Sequence, residues 1–328
     1  MPIFQLAILF GYFFVLVILG MYGWHRFFLV REYTKHKDRA AGPVPHVADD
    51  AWPMVTVQLP FFNEMYVVDR LIDSVAAFDY PKDRLEIQIL DDSTDETTQI
   101  AELAARRLEQ RGFMVSFLHR TDRTGFKAGA LDSGLKLCKG DFIAIFDADF
   151  IPSPDFLKRT VPYFTVNPKL AVVQARWGHI NHDYSLLTRI QAVMLDGHFM
   201  LEHGGRNRAG CFFNFNGTAG LWRREAIPDA GGWQHDTLTE DLDLSYRAQL
   251  RGWQFLFVPQ VVAPAELPVE MNSFKSQQHR WAKGSIQTCK KNLPTILQAD
   301  LPFKVKAEAF FHLTANFNYC LLYTSDAA

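Results

Sequence analysis

Short apolar runs alternate with longer amphipathic segments between residues 54 and 146, and this alternation constrains the fold more than any other feature. The apolar runs are predicted to be β-strands because they are rich in β-branched residues, and the segments between them are predicted to be helices. The strands are 54–59, 85–90, 114–118 and 142–146, and the helices are 64–78, 95–111 and 128–138. Strands that alternate with helices form a mainly parallel sheet with right-handed crossovers. The sequence therefore predicts an α/β fold, continued by a strand near 170–174 and helices near 185–203 and 239–251.

Two acidic pairs directly follow predicted strands. Asp91 and Asp92 come after the second strand, and Asp147 and Asp149 enclose Ala148 after the fourth. Ligands of open α/β sheets bind at the carboxyl ends of the strands, so both pairs are predicted to line a binding site. The alternative for Asp91 and Asp92 is a turn that caps the next helix, because Asp and Ser often begin helices.

Three further motifs suit the binding and chemistry of a phosphorylated sugar. Lys127 lies between two glycines and can approach a phosphate, although a lysine at a helix start is the structural alternative. Thr239-Glu240-Asp241 opens a predicted helix, where acidic residues also suit the helix dipole. Gln277, Arg280 and Trp281 fall on one helical face, which offers a bidentate phosphate ligand beside an indole ring. A polar helix lying on a membrane surface is the alternative for this last motif.

Composition sets broad limits on the class of protein. The 328 residues are 48% hydrophobic with a net charge of −2, which allows a large core and gives no basic field for a nucleic-acid partner. The four cysteines are far apart, and none forms a C-x-x-C pair. They are predicted to be reduced thiols in a cytosolic compartment, with no disulfide framework or zinc site.

The N-terminus is predicted to be a membrane anchor. Residues 2–24 carry no charge, and roughly 20 apolar residues are enough to cross a bilayer. A cleaved signal peptide is the alternative, but its usual basic start and shorter apolar stretch are not seen here. Five basic residues follow, which places the next domain on the cytoplasmic side. The basic flank and a proline-containing linker are predicted to occupy 25–53.

The order and spacing of these motifs resemble those of the processive family 2 glycosyltransferases, the group that contains cellulose, hyaluronan and β-mannan synthases. The resemblance runs from about Val55 to Pro294 and includes LDDSTD, VQARW, FNFNGTAGLWRR, LTEDLDLSYRAQLRGW and QQHRW. These details are most similar to the plant cellulose-synthase-like mannan and glucan synthases and their bacterial relatives. The resemblance implies a GT-A fold over 54–270, followed by interfacial helices and the start of a membrane region over 271–328.

The resemblance also implies a role for each motif. Asp91 and Asp92 would face the nucleoside, and Lys127 would contact the nucleotide. Asp149 would be the main ligand of Mg²⁺ or Mn²⁺ on the diphosphate, and Asp147 would contact the nucleotide or the metal. Asp241 would be the base that deprotonates the acceptor hydroxyl, and a single base without an enzyme nucleophile implies inversion. The acceptor and diphosphate would be bound by Glu240, Gln277, Arg280, Trp281 and the loop residues Asn216, Gly217 and Thr218.

The implied reaction is inverting hexose transfer to a growing β-linked polysaccharide, of the β-mannan, glucomannan or β-glucan type. The donor would be GDP-mannose, GDP-glucose or UDP-glucose, and the acceptor a polysaccharide or oligosaccharide at a lipid membrane. Two other classes fit the same motifs: a single-transfer enzyme that makes a glycolipid or polyprenyl-phosphate sugar, and a non-catalytic sugar-binding protein held at the membrane.

Family members carry several membrane helices after Q-x-x-R-W, whereas this sequence stops soon after that motif. Residues 313–323 are predicted either to begin a membrane helix or to form an amphipathic helix on the membrane. We therefore expect the 328-residue chain to be a fragment or to show weak processive synthesis.

Overall fold

The computed structural model describes residues 3–36 and 41–317 and contains a seven-stranded sheet. Its strands are β1 (Val55–Phe61), β2 (Leu85–Asp91), β3 (Met114–His119), β4 (Phe142–Ile145), β5 (Leu170–His179), β6 (Gly220–Arg223) and β7 (Gln254–Ala265). They lie in the order β3-β2-β1-β4-β6-β5-β7. Only β6 is antiparallel to its neighbours, so the prediction of a mainly parallel sheet is confirmed.

The sequence did not reveal β6 or β7. The first has only four residues, and the second contains Pro259 and Pro264, which cannot donate to a strand ladder. The structure tolerates both prolines because β7 is an edge strand, paired only with β5 among the described strands.

Helices cover both faces of the sheet and extend beyond it. They are α1 (Ile3–Lys35), α2 (Val68–Ala76), α3 (Thr97–Gln110), α4 (Phe126–Leu135), α5 (Phe156–Thr160), α6 (Pro162–Val166), α7 (Leu186–Asp196), α8 (Gly204–Arg208), α9 (Ala226–Asp229), α10 (Glu240–Leu250), α11 (Met271–Gln298) and α12 (Phe303–Thr314). A 3-10 turn at Lys82–Arg84 precedes β2.

The predicted helix 185–203 is not a single α-helix. Ser185 caps α7 through a reciprocal pair of hydrogen bonds with Thr188, but the chain then widens into a π-helical segment at Gly197–His203 before α8 begins. Apolar spacing alone does not distinguish a π turn from an α turn over seven residues. The break matters because the π segment lies behind the cavity described below.

The core lies on both faces of the sheet because successive strand residues point to opposite sides. One apolar cluster joins β1, β2 and β4 to α2, α3 and α5, and a second joins β4, β5 and β6 to α4, α9 and α10. Phe142 and Ala144 belong to the first cluster, whereas Ile143 and Ile145 belong to the second. The carboxyl ends of the parallel strands are thereby held rigidly at one edge.

Helix α1 combines an apolar span with a docking segment. Among the residues that the structure describes, it is the one helix long and apolar enough to cross a membrane, and none of its most apolar window is buried inside the protein. It extends past the predicted anchor end at residue 24 because the basic flank continues the same helix to Lys35. Most of the predicted segment 313–323, and part of the basic flank, lie outside the described residues.

Buried charges join the end of α1 to the rest of the protein. The Glu308 carboxylate in α12 accepts a hydrogen bond from Arg206 Nε at 2.8 Å and lies 2.7 Å from His25 Nε2 in α1. The His25 ring also stacks on Phe311, with ring centroids 4.5 Å apart. Glu308 and Arg206 are both buried, so each neutralises the other where water does not reach.

We expect Glu308→Ala to destabilise the protein by about 3–5 kcal/mol, because the buried Arg206 guanidinium then keeps only its longer contact, Nη1 to Glu202 Oε2 at 3.5 Å. In detergent, the melting temperature should fall by roughly 4–7 °C. Glu109→Ala removes an exposed carboxylate on α3 and serves as the control, with a change within about 0.5 kcal/mol. Equal melting of the two variants would contradict the structural role of the buried pair.

Candidate active site

A cavity of about 760 Å³ opens at the carboxyl ends of the parallel strands, within the usual size range of small-molecule sites. It brings together residues that are up to 221 positions apart, from Pro60 to Trp281. All but two of the site residues expected from the sequence line it: Asp92, Lys127, Asp147, Asp149, Asn216, Gly217, Glu240, Asp241, Gln277, Arg280 and Trp281.

Asp91 and Thr218 lie behind the cavity wall. Asp91 is fully buried, with one carboxylate oxygen 2.7 Å from His119 Nδ1 and the other accepting a hydrogen bond from the Ser93 amide. The Thr218 hydroxyl accepts a hydrogen bond from the Asp147 amide at 2.9 Å. Thr218 therefore supports Asp147, which lines the cavity, whereas the partners of Asp91 lie outside the lining. Direct contact of either residue with a ligand stays a prediction.

Asp92 is held by an arginine at the nucleoside end of the predicted site. Arg120 donates two hydrogen bonds to its carboxylate, at 2.7 and 2.5 Å. Next to it, the Arg123 guanidinium lies 3.2 Å from the Phe62 ring centroid and 5.3 Å from that of Phe126. This end of the cavity thus combines an ion pair with exposed aromatic faces.

Lys127 connects β4 to the loop before β6. Gly125 and Phe126 both adopt positive φ, 78° and 48°, a conformation that is strained for Phe126 and that begins α4. The Lys127 ammonium donates hydrogen bonds to the Asp147 carboxylate and, at 3.0 Å, to the Gly217 carbonyl. Although burial lowers the pKa of Lys127, nearby carboxylates led by that of Asp147 raise it overall. A fixed positive charge therefore lies at the centre of the cavity.

Three carboxylates that line the cavity, those of Asp147, Asp149 and Glu64, are close enough for their charges to affect one another. Burial and the charge of Asp147 raise the pKa of Asp149 to about 7, and burial followed by the charges of Asp147 and Asp149 raises that of Glu64 to about 7. An all-oxygen set with excess negative charge fits a hard cation such as Mg²⁺ or Mn²⁺. The described part of the chain holds no cluster of three or more His, Cys, Asp or Glu side chains able to bind a metal alone. The arrangement therefore fits an ion shared between Asp147, Asp149 and bound phosphates.

Asp241 lies in the first turn of α10, next to Glu240. Its Oδ1 accepts a hydrogen bond from the Leu242 amide at 2.8 Å, and a Cβ added at Gly217 would lie 3.1 Å from its Oδ2. Burial and the Glu240 charge raise the pKa of Asp241 to about 7, and burial also raises that of Glu240. Thr239 occupies the capping position, but its hydroxyl contacts Thr288 rather than the helix amides. Asp241 is thus a carboxylate poised to exchange a proton near neutral pH.

Helix α11 supplies Gln277, Arg280 and Trp281 to the opposite wall. The Trp281 ring lies 6.4 Å from that of Trp177, centroid to centroid, which forms an aromatic wall in the cavity. Farther along α11, Asn292 Nδ2 donates to the buried Asp243 carboxylate at 2.9 Å, and Lys291 Nζ lies 3.1 Å from it. These bonds hold α11 against α10, and therefore hold the aromatic wall next to Asp241.

The cavity also contains residues that the sequence did not single out. Glu64, His235, Thr237 and Glu266 all line it. Glu64 follows β1 just as Asp92 follows β2, so the strand-end argument would have found it. His235 and Thr237 lie in an irregular loop with no local pattern, and only the tertiary structure brings them to the site.

Comparison with known protein families gives a match that includes the cavity residues. Residues 53–284 match the model of the family described as glycosyltransferase like family 2. The chain belongs to glycosyltransferase family 2. The matched range spans the sheet, the cavity and the first half of α11, so the resemblance identified from the motifs is confirmed.

Relatives within this glycosyltransferase family share the sequence over three quarters of the chain. Glucomannan 4-beta-mannosyltransferase 2 of Arabidopsis thaliana is 45% identical over 251 residues, 75% of this chain and 47% of its own. Glucomannan 4-beta-mannosyltransferase 1 of Oryza sativa subsp. japonica is 42% identical over 258 residues, 77% of this chain and 50% of its own. The chain thus spans about half the length of these curated relatives.

A solved structure confirms the GT-A fold. The mannosyltransferase of Pyrobaculum calidifontis in complex with GDP-Man and Mn²⁺ superposes with a TM-score of 0.72, over 96% of this chain and 86% of that one. At 21% identity the match concerns the fold. The roles of individual cavity residues in this glycosyltransferase stay predictions.

Proposed function

We propose that the protein transfers a hexose from a nucleotide-diphosphate sugar to a β-linked polysaccharide of the mannan or glucomannan type, with inversion at the anomeric carbon. One observation carries the proposal: Asp241, with its raised pKa, shares a single cavity with the Lys127–Asp147 pair, Arg280 and Trp281. The names of the plant relatives, glucomannan 4-beta-mannosyltransferases, support the mannan product.

In the proposed reaction, each wall of the cavity has its own task. Asp241 removes the proton of the acceptor hydroxyl as that oxygen attacks the anomeric carbon, and no enzyme nucleophile is required. Lys127 and Arg280 balance the negative charge that grows on the departing diphosphate. Trp281 and Trp177 offer apolar faces to pyranose rings. The donor and acceptor are thereby oriented before the chemical step.

A divalent ion fits this scheme. Asp149 and Asp147 would hold Mg²⁺ or Mn²⁺ on the diphosphate, where such an ion neutralises the leaving group. The excess negative charge of these two residues and Glu64 supports the assignment. The Mn²⁺ in the archaeal mannosyltransferase is consistent with it.

GDP-mannose is the proposed donor, ahead of GDP-glucose and UDP-glucose. The names of the plant relatives specify mannosyl transfer, and the archaeal structure contains GDP-Man. We also propose that α1 anchors the protein in a membrane with the cavity on the cytoplasmic side, because none of its apolar window is buried inside the protein and basic residues follow it.

Release of nucleoside diphosphate from a panel of donors, with and without Mn²⁺ or Mg²⁺, tests the proposal. We expect release from GDP-mannose that depends on the metal and on an added manno-oligosaccharide, with new β-1,4 linkages in the product. A radiolabelled product that partitions into organic solvent would instead favour a glycolipid or polyprenyl-phosphate sugar. No release from any donor would favour a binding protein.

The reaction should also depend on pH with a defined sign. Asp241 must be ionised to act as base, so kcat/KM should rise about tenfold per pH unit up to about pH 7 and then level off. At low Mn²⁺ the acidic limb should be steeper, because protons compete with the metal for Asp149. A profile that is flat from pH 5 to 8 at saturating metal would contradict the role of Asp241.

A further inference from the structure

The π-helical segment Gly197–His203 holds two histidines against the loop that forms one wall of the cavity. In an α-helix, residues five apart point about 140° away from each other, since each residue turns the helix by about 100°. The wider π turn brings His198 and His203 together, with ring centroids 4.4 Å apart. Isolated π turns often occur at functional sites.

Both imidazoles bind the loop that carries Asn216 and Gly217. His198 Nε2 lies 3.1 Å from Asn216 Nδ2, and His203 Nε2 lies 3.0 Å from the Asn214 carbonyl oxygen. The His203 contact orders the loop backbone, and the His198 contact orders the side chain of a residue that lines the cavity.

The partners of His198 define its tautomer. The amide nitrogen of Asn216 only donates, so His198 Nε2 is the acceptor and the ring proton is on Nδ1. Nδ1 then donates to the Glu202 carboxylate at 3.2 Å. Glu202 in turn pairs with Arg206, Nη1 to Oε2 at 3.5 Å, and with Arg26 of α1. Burial, together with the charges of His203, Arg206 and Arg26, lowers the pKa of His198 well below its usual value and keeps the ring neutral.

The loop held in this way touches the reacting groups. Its Gly217 carbonyl accepts a hydrogen bond from Lys127, and its Gly217 Cα adjoins the Asp241 carboxylate, where an added Cβ would lie 3.1 Å from Oδ2. A displacement of Asn216 therefore changes the space in front of the base. Donor-side residues such as Asp92 and Asp149 lie on other elements, after β2 and β4, and in the described part of the chain they bond elsewhere, to the Arg120 side chain and the Glu266 amide.

We propose that His198 is a positioning residue for the sugar acceptor: its Nε2 fixes Asn216, and through it the Gly217 loop, in front of Asp241. The π turn and Glu202 hold the imidazole in the tautomer that this bond requires. The inference rests on the proposed transferase function and adds a residue that acts through Asn216 rather than by touching the sugar.

Two substitutions at His198 test the roles of the two ring nitrogens separately. In His198→Gln the side-chain oxygen reaches the position of Nε2 and accepts from Asn216, whereas in His198→Asn the shorter amide reaches only the position of Nδ1. We expect His198→Asn to raise the KM for a manno-oligosaccharide by about three- to tenfold, the effect of losing one hydrogen bond, with a smaller change in the KM for GDP-mannose because the bonds of Lys127 and Asp147 to the loop remain. His198→Gln should stay within about twofold of the wild type.

The matched pair His182→Gln and His182→Asn, at an exposed histidine that does not line the cavity, serves as the control and should leave both constants unchanged. Equal effects of the Gln and Asn variants at His198, or equal changes in donor and acceptor KM, would overturn the proposal. Calorimetric titration with manno-oligosaccharide gives the same comparison without turnover. If the wild type binds the sugar but transfers nothing, the proposed function fails while these affinities still decide the role of His198. If the wild type neither binds nor transfers, both fail.

Discussion

Asp241→Asn should lower kcat for sugar transfer by roughly 10³-fold, because an amide cannot take the proton of the acceptor hydroxyl. The substitution keeps the size of the side chain, and its Oδ1 can still accept the Leu242 amide hydrogen bond. The KM for the donor should therefore change little, and the loss should fall on the chemical step. Initial rates of nucleoside diphosphate release, with the donor and acceptor varied separately, measure this split.

Asp183→Asn is the matched control for Asp241→Asn. Asp183 is an exposed carboxylate outside the cavity, and its loss should leave kcat unchanged. A parallel rise in donor KM and fall in kcat for Asp241→Asn would indicate a role in donor binding, and full activity would exclude Asp241 as the base.

Asp149→Asn should lower kcat/KM for the donor by about 10²–10³-fold, since it removes a charged ligand of the proposed divalent ion. A second readout needs no turnover. In the wild type, Mn²⁺ with GDP should raise the melting temperature more than GDP alone. The variant should lose this additional rise, because an amide oxygen carries no charge to balance the metal.

Without metal, Asp149→Asn should stabilise the folded protein at neutral pH, because it removes a buried charge. The pKa of Asp149 is raised, so the folded state binds its proton more tightly than the unfolded chain does. That contribution is fully present below about pH 4, where the unfolded chain is also protonated, and it is lost as the pH rises from there to about 7. Asp149→Asn should therefore flatten the fall in metal-free melting temperature between pH 4 and 7. A variant that is uniformly less stable at both pH values would point to a packing role.

Local sequence patterns predicted the first four strands and the acidic residues at their ends. The strands β1 to β4 and the acidic residues after β2 and β4 follow from β-branched runs that end in carboxylates. Strand β7 was not predicted because its prolines argue against a strand, and only its place at the sheet edge makes them acceptable. The π segment was not predicted because its residues have the same apolar spacing as an α-helix.

The candidate site was predictable as a set of residues but not as an arrangement. Motif order indicated Lys127, Asp147 and Asp241, yet nothing in the sequence indicated that Lys127 bonds to both Asp147 and the Gly217 carbonyl. The same holds for Asp91, which is buried behind the cavity because His119 on the neighbouring strand occupies its carboxylate. Such bonds join residues distant in sequence, and they depend on how strands and loops pack.

Helix α11 has a mechanical consequence for turnover. It carries Arg280 and Trp281 in its first half. Farther along, its Lys291 and Asn292 donate hydrogen bonds to Asp243 of α10, two residues after the proposed base. Trp281 and the base are therefore carried by two helices that hydrogen bonds join, whereas Lys127 lies in α4 and Asp149 follows β4. A change in the position of α11 would thus reach the base as well as Trp281, and would leave Lys127 and Asp149 in place.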